Sequence, residues 1–136
     1  MFYESDRNFV ADAGDLAEVL QRKARDHTKV MQVLATNPEI VDRVVGFHAQ
    51  QAIEKWLMAA LAGNEVRFRP CHDLDYLIDR LEPVAGTPPV ARDEVAALTD
   101  YAAQQLDNAP PSSSALDRKA TIELVDEIGT WAEAQV

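Results

Sequence analysis

Several features that define large protein classes are scarce in this chain of 136 residues. A single cysteine, Cys71, cannot form an internal disulfide, so nothing in the sequence indicates an oxidising compartment. The longest apolar run, from Trp56 to Gly63, is far too short to cross a bilayer, and the charged first residues do not resemble a signal peptide. We therefore expect a cytoplasmic protein without a membrane partner.

Two kinds of cofactor site are also missing from the sequence. The five glycines are not arranged in series, which excludes a glycine-rich phosphate loop. Cys71 and His72 are neighbours, but no larger cluster of cysteine and histidine has the spacing of metal ligands. We therefore predict no metal site and no cofactor.

Basic residues are few, and the net charge is −10. From Glu82 to Val136 the acids far outnumber the bases, which are Arg92, Arg118 and Lys119. Non-specific nucleic-acid binding depends on Lys and Arg that neutralise phosphates, so we expect no non-specific DNA binding. A local contact with a nucleotide or RNA remains open. The cations available for it are Arg43, Lys55, Arg67 and Arg69.

Apolar residues recur at helical spacing nearly everywhere, and no run alternates with a period of two. We predict an N-terminal arm over residues 1–11 and one domain over residues 12–136. Its helices are expected over about 12–35, 38–62, 71–82 and 90–107, with a fifth that follows a capping box of Ser114 and Asp117. Short loops between helices favour an all-α fold, an up-and-down antiparallel bundle of about five helices.

The second predicted helix has a wide apolar side, which is typical of a central helix with several neighbours. Glu54 and Lys55 are adjacent and do not form an i,i+4 pair, so pairing on a helix surface does not explain them. A groove or an interface accounts for them better than a solvated surface does. The polar row opposite the apolar side consists of Gln50, Gln51, Glu54 and Lys55.

The sequence of this helix is more specific than its periodicity. It reads Phe47-His48-Ala49-Gln50-Gln51-Ala52-Ile53-Glu54-Lys55, and His72-Asp73-Leu74 follows after a loop. Together with Ala24-Arg25-Asp26 upstream, this pattern resembles the HEPN family over about residues 20 to 107. The resemblance implies a helical bundle that commonly dimerises and often acts with a minimal nucleotidyltransferase as a toxin–antitoxin pair. Some members bind nucleotides, and others are metal-independent ribonucleases.

The resemblance implies a site for a nucleotide or a partner protein at the polar row and the start of the third helix. The residues assigned to it are Gln50, Gln51, Glu54, Lys55, His72 and Asp73. A structural interpretation stands beside this one, in which His72 and Asp73 only organise the start of the helix. The chain departs from the family pattern at Met58, where a second lysine is usual. It departs again where Leu106, Asp107 and Asn108 replace an Arg-Tyr-Pro signature.

Ribonuclease members of the family carry arginine four to six residues before histidine, and Arg43 with His48 fits that spacing. The arginine would stabilise charge on the scissile phosphate, and the histidine would move the proton of the 2′-hydroxyl. Residues five apart on a regular helix point about 140° apart, so a second subunit or a helix irregularity would have to bring the two groups together. The same spacing occurs at Arg22 with His27 and at Arg67 with His72.

Three functions therefore remain open. The preferred one is a dimeric binding module that contacts a nucleotidyltransferase or a nucleotide. The second is a metal-independent endoribonuclease toxin that uses Arg43 and His48. The third is a purely structural homodimer in which the polar row is only an interface.

Overall fold

The computed structural model describes residues 9–102 and 115–136, with side chains from Ala13 onward, and contains helices and loops but no strand within those ranges. The prediction of an all-α helical bundle is confirmed. Its helices are α1 (Phe9–Ala35), α2 (Asp42–Gly63), α3 (Leu74–Ala85), α4 (Arg92–Ala96) and α5 (Arg118–Gln135).

The centre of the bundle is α2, which packs along α1 and also contacts α3 and α5. Most of its residues from Val45 to Ala62 are buried, which confirms the central role predicted from its wide apolar side. While α1 runs antiparallel to α2, α5 runs parallel to it. The ion pair between Arg118 and Asp42 joins the start of α5 to the start of α2, and the Asn64 side chain donates to the Gln135 carbonyl near both helix ends.

The prediction that the second helix begins at Pro38 is wrong, because α2 begins at Asp42. Residues 36–40 form a turn in which the side-chain oxygen of Asn37 accepts from the Glu39 backbone N–H at 2.9 Å. The carbonyls of this turn are directed to Arg118, which binds those of Asn37 and Ile40. A helix start at Pro38 would withdraw these carbonyls into the helix.

The third helix continues past the predicted end, because α3 includes Pro83 and ends at Ala85. Proline at this position removes the backbone hydrogen bond to the carbonyl of Asp79, and the helix ends two residues later. The helix ends at Gly86, whose φ of 83° lies in the region that glycine adopts without a steric penalty.

Two other boundaries also differ from prediction. The first helix starts at Phe9 and not at Asp12, while residues 1–8 of the predicted arm lie outside the described residues. Asp117 is itself the N-cap of α5, where its carboxylate accepts from the Ala120 backbone N–H. The predicted capping box is therefore wrong, and Ser114 lies outside the described residues.

The predicted fourth helix over 90–107 is interrupted. After α4, residues 97–99 form a turn with i→i−3 hydrogen bonds, and helix resumes at residues 100–102. The ring of Tyr101 lies directly over Gly46 of α2, where an added Cβ would meet it at 2.3 Å. Glycine at position 46 therefore allows this segment to approach the centre of α2. Residues 103–107 of the prediction lie outside the described residues.

No helix in the described ranges combines the length and the apolar character that a membrane span requires.

Candidate functional site

The polar row of α2 lies inside the molecule, against the loop that leads to α3. Gln50 is fully buried and Glu54 is 1% exposed. The Gln51 side-chain amide donates to Gln50 Oε1 at 2.6 Å, and Gln50 Nε2 donates to Glu54 Oε1 at 3.1 Å. Gln50 Nε2 also donates to the backbone carbonyl of His72 at 3.2 Å, which ties the loop to α2.

Glu54 is the acceptor on which the donors of this site converge. Its Oε2 accepts from Lys55 Nζ at 2.6 Å, and its Oε1 accepts from His72 Nδ1 at 2.6 Å as well as from Gln50. A buried carboxylate is tolerated only when it is paired and hydrogen-bonded. Adjacent residues on a helix normally point in different directions, so the Lys55 side chain must bend toward Glu54 to make this contact.

His72 connects this buried network to the surface, because its side chain is 65% exposed. A carboxylate only accepts, so the contact with Glu54 places the proton of a neutral imidazole on Nδ1. The other nitrogen, Nε2, is then left for a different partner. An imidazole oriented by a carboxylate in this way can accept a proton or, when protonated, donate to an anion.

A groove of about 430 Å³ opens beside Glu54, Lys55 and His72. It is bounded by α1, α2 and the loop before α3, and most of its wall is apolar. Lys55 is 19% exposed, so its ammonium group is held by Glu54 at the edge of the groove and not in bulk water. The residues that matter most for charge and shape are Leu20 and Lys23 of α1, Lys55 and Met58 of α2, and Phe68 and His72 of the loop.

Asp73 does not belong to the groove. It is the N-cap of α3, where its Oδ1 accepts from the Tyr76 backbone N–H at 3.2 Å. This contact alone accounts for an aspartate at that position, because N-cap carboxylates satisfy a free N–H of the first turn.

The predicted catalytic pair, Arg43 and His48, is not in contact. His48 Nδ1 lies 3.0 Å from His27 Nδ1 of α1, while Arg43 makes no hydrogen bond or ion pair with any residue that the structure describes. Burial lowers the pKa of His27, and the charges of His48 and Lys55 lower it further. Burial also lowers the pKa of His48. Both imidazoles are therefore held in the neutral form near neutral pH.

Sequence reasoning missed the contributions of α1. Lys23 of α1 lines the groove together with residues of α2, and His27 of α1 contacts His48 of α2. The signals for His27 in the sequence were its spacing from Arg22 and its place among the apolar positions of the first helix, while Lys23 resembled any solvated lysine. Antiparallel packing of α1 on α2 brings these residues together, and no local pattern encodes it.

The part of the chain that the structure describes contains no group of three or more histidine, cysteine or carboxylate side chains placed to hold a metal ion. The titratable groups that line the groove are two lysines, a histidine, the thiol of Cys71 and one buried carboxylate.

Comparison with known proteins gives one finding. A family model described as the HEPN domain matches residues 17–135, which is nearly the whole chain. No curated protein and no solved structure matches the chain significantly. The match covers every helix from α2 to α5, most of α1 and the whole candidate site, and the chain therefore belongs to the HEPN domain family.

Proposed function

We propose that this HEPN domain is a binding module, and that the groove beside Lys55 takes the phosphates of a nucleotide. The observation that supports the proposal is the convergence of Lys23, Lys55 and His72 on one largely apolar groove. Cations bind phosphate through charge-assisted hydrogen bonds, and an apolar wall suits a base. The groove has the volume of small-molecule sites, which is roughly 300–1,000 Å³.

The internal network supports the same function. Glu54 fixes Lys55 and His72 before any ligand arrives, so binding would not have to order these side chains. Met58, which replaces a family lysine, lies in the groove wall and is 5% exposed. Lys23 lines the same groove from α1 and supplies a cation in the vicinity of that position.

Isothermal titration with ATP and with GTP tests the proposal. We expect binding of at least one nucleotide and a roughly tenfold weaker affinity in Lys23→Met, since one charged hydrogen bond to phosphate is lost. Lys29→Met is the matched control, because it removes the same charge from an exposed position on the same helix. Absence of heat with both nucleotides, or an equal effect of the two variants, would contradict the proposal. Lys55→Met is a second variant, with circular dichroism to verify that it folds.

We also propose that the module acts as a homodimer with a nucleotidyltransferase, as in a toxin–antitoxin pair. Membership of the family supports this role. Sizing chromatography of the chain mixed with a nucleotidyltransferase encoded beside it would test it. Separate elution of the two proteins at micromolar concentration would contradict a stable complex.

A metal-independent ribonuclease is the second candidate. One observation favours it: burial lowers the pKa of His48, so a neutral imidazole is available as a proton acceptor near pH 7. The contact of His48 with His27, and not with Arg43, makes us prefer the binding module. RNA cleavage in EDTA that disappears in His48→Ala would reverse this preference.

A further inference from the structure

The outer side of α5 carries a second surface that the groove does not explain. A trough runs between α5 and the segment from Pro89 to Glu94, and it consists of two adjoining hollows of about 340 and 390 Å³ that share Pro89 and Glu127. One end is apolar and contains the half-exposed ring of Trp131 together with Pro89. The trough has no lining residue in common with the groove.

Exposed carboxylates border the trough, and within the described residues no lysine or arginine lines it. Asp126 also lines a neighbouring hollow together with Arg25 and Lys29. None of the carboxylates of the trough makes an ion pair or a hydrogen bond with a described residue, and residues 103–114, which precede α5, contain no lysine or arginine. Some carboxylates outside the trough are paired with arginine, as Asp42 is with Arg118 and Asp75 is with Arg92. The unpaired carboxylates of the trough are Glu94, Glu123, Asp126 and Glu127.

Elsewhere in the molecule, a tryptophan ring and a carboxylate together bind an arginine. Arg25 lies 5.6 Å from the centre of the Trp56 ring, and its Nη2 contacts Glu133 Oε2 at 2.5 Å. In the trough, Glu127 and Trp131 lie one helical turn apart on α5 and offer the same carboxylate and ring. No described arginine or lysine is among the residues that line it.

We propose that this trough docks a basic segment of a partner protein, with an arginine over Trp131 and further cations along the carboxylates. Tryptophan and arginine are the residue types most enriched at interface hot spots, and an arginine gains both from the ring and from the carboxylate. The charge of the trough excludes an acidic segment or a nucleic-acid backbone as the occupant. The partner is thus a protein with a basic, partly apolar face.

The test uses the full chain and a fluorescent synthetic peptide that carries arginine and leucine on one face of an amphipathic helix. Fluorescence anisotropy should show binding that weakens as salt increases. We expect roughly tenfold weaker binding in Glu123→Gln/Glu127→Gln, because two ion pairs are lost. The double variant Asp15→Asn/Glu39→Gln is the matched control, since it removes the same net charge from exposed positions outside the trough.

Equal weakening in the two double variants would mean that only net charge matters, and the proposal would be overturned. Trp131→Ala should weaken binding further, while Trp131→Phe should retain part of the affinity. Should Trp131→Ala not fold, the carboxylate variants still decide the outcome. Binding that appears only after deletion of residues 1–8, which include Arg7, would assign the trough to the chain's own N-terminal arm and would also overturn the proposal.

Discussion

Arg118 satisfies backbone carbonyls that the end of α1 and the following turn leave without helical partners. Its Nη1 donates to the carbonyls of Ala35 at 3.2 Å and Asn37 at 3.1 Å, and its Nη2 donates to that of Ile40. Its Nε contacts Asp42 at 2.9 Å. One side chain thereby joins three helices, and no sequence pattern predicted this because the contacts span about 80 residues.

We predict that Arg118→Ala lowers the free energy of unfolding by about 3 kcal/mol, because several hydrogen-bonded carbonyls and the half-buried Asp42 lose their partner. Urea denaturation followed by circular dichroism measures the change. Arg22→Ala is the control, since Arg22 only forms a loose 4.0 Å pair with Glu18 on the surface, and its effect should stay within about 0.5 kcal/mol. Equal effects of the two variants would refute the role assigned to Arg118.

At the scale of elements, the contact between α1 and α2 contains two histidines in direct contact. His27 and His48 bring their Nδ1 atoms to 3.0 Å, which suits one donor and one acceptor and does not suit two protonated rings. Burial lowers the pKa of each imidazole below its ordinary value of 6.5, and for His27 the neighbouring positive charges lower the pKa further. The helix pair therefore favours neutral histidines.

This pair predicts acid sensitivity with a definite sign. The folded-state pKa of each imidazole is below 6.5, so the unfolded chain binds more protons once the pH falls below that value. The stabilisation that the neutral histidine pair contributes is therefore fully present above about pH 6.5. It is lost as the pH falls toward the lower folded-state pKa of each imidazole. Thermal melts across this range should show a smaller decrease for His27→Gln/His48→Gln than for the wild type.

His72→Gln serves as the control for these melts, because it keeps the α1–α2 pair intact. A pH dependence of the melting temperature that is unchanged in His27→Gln/His48→Gln would contradict the prediction.

The elements also show what the sequence could predict about the site. The adjacency of Glu54 and Lys55 indicated that the polar row does not simply face solvent, and the structure places it against the loop before α3. Which groups meet there depends on packing between distant segments. The contacts of His27 and of the His72 carbonyl could not be predicted, because each joins residues more than twenty positions apart. The place of Lys23 could not be predicted either, because it lines the groove from another helix.

On the scale of the whole molecule, three exposed valines mark a surface of α1 that the described fold does not cover. Val19, Val30 and Val33 are 37%, 39% and 69% exposed, and their spacing places them on one narrow stripe. Val19 also lines the groove beside Lys23. A second subunit on this stripe would border the groove and contribute to its wall.

We therefore predict that the protein elutes as a homodimer and that Val30→Lys/Val33→Lys converts it to a monomer, because two lysines would be placed in an apolar contact. Sizing chromatography with light scattering measures the mass. Val41→Lys/Val84→Lys is the matched control, because both of these valines are exposed outside α1. A wild-type monomer, or a dimer that persists in the α1 variant, would rule out this interface.

The arrangement around Glu54 also limits how the protein can change over evolutionary time. Loss of Lys55 alone would leave an anion in the interior with fewer donors, and loss of Glu54 alone would leave Lys55, His72 and Gln50 without their shared acceptor. We therefore expect each single loss to destabilise the fold, so that Glu54 and Lys55 would change together more readily than one at a time.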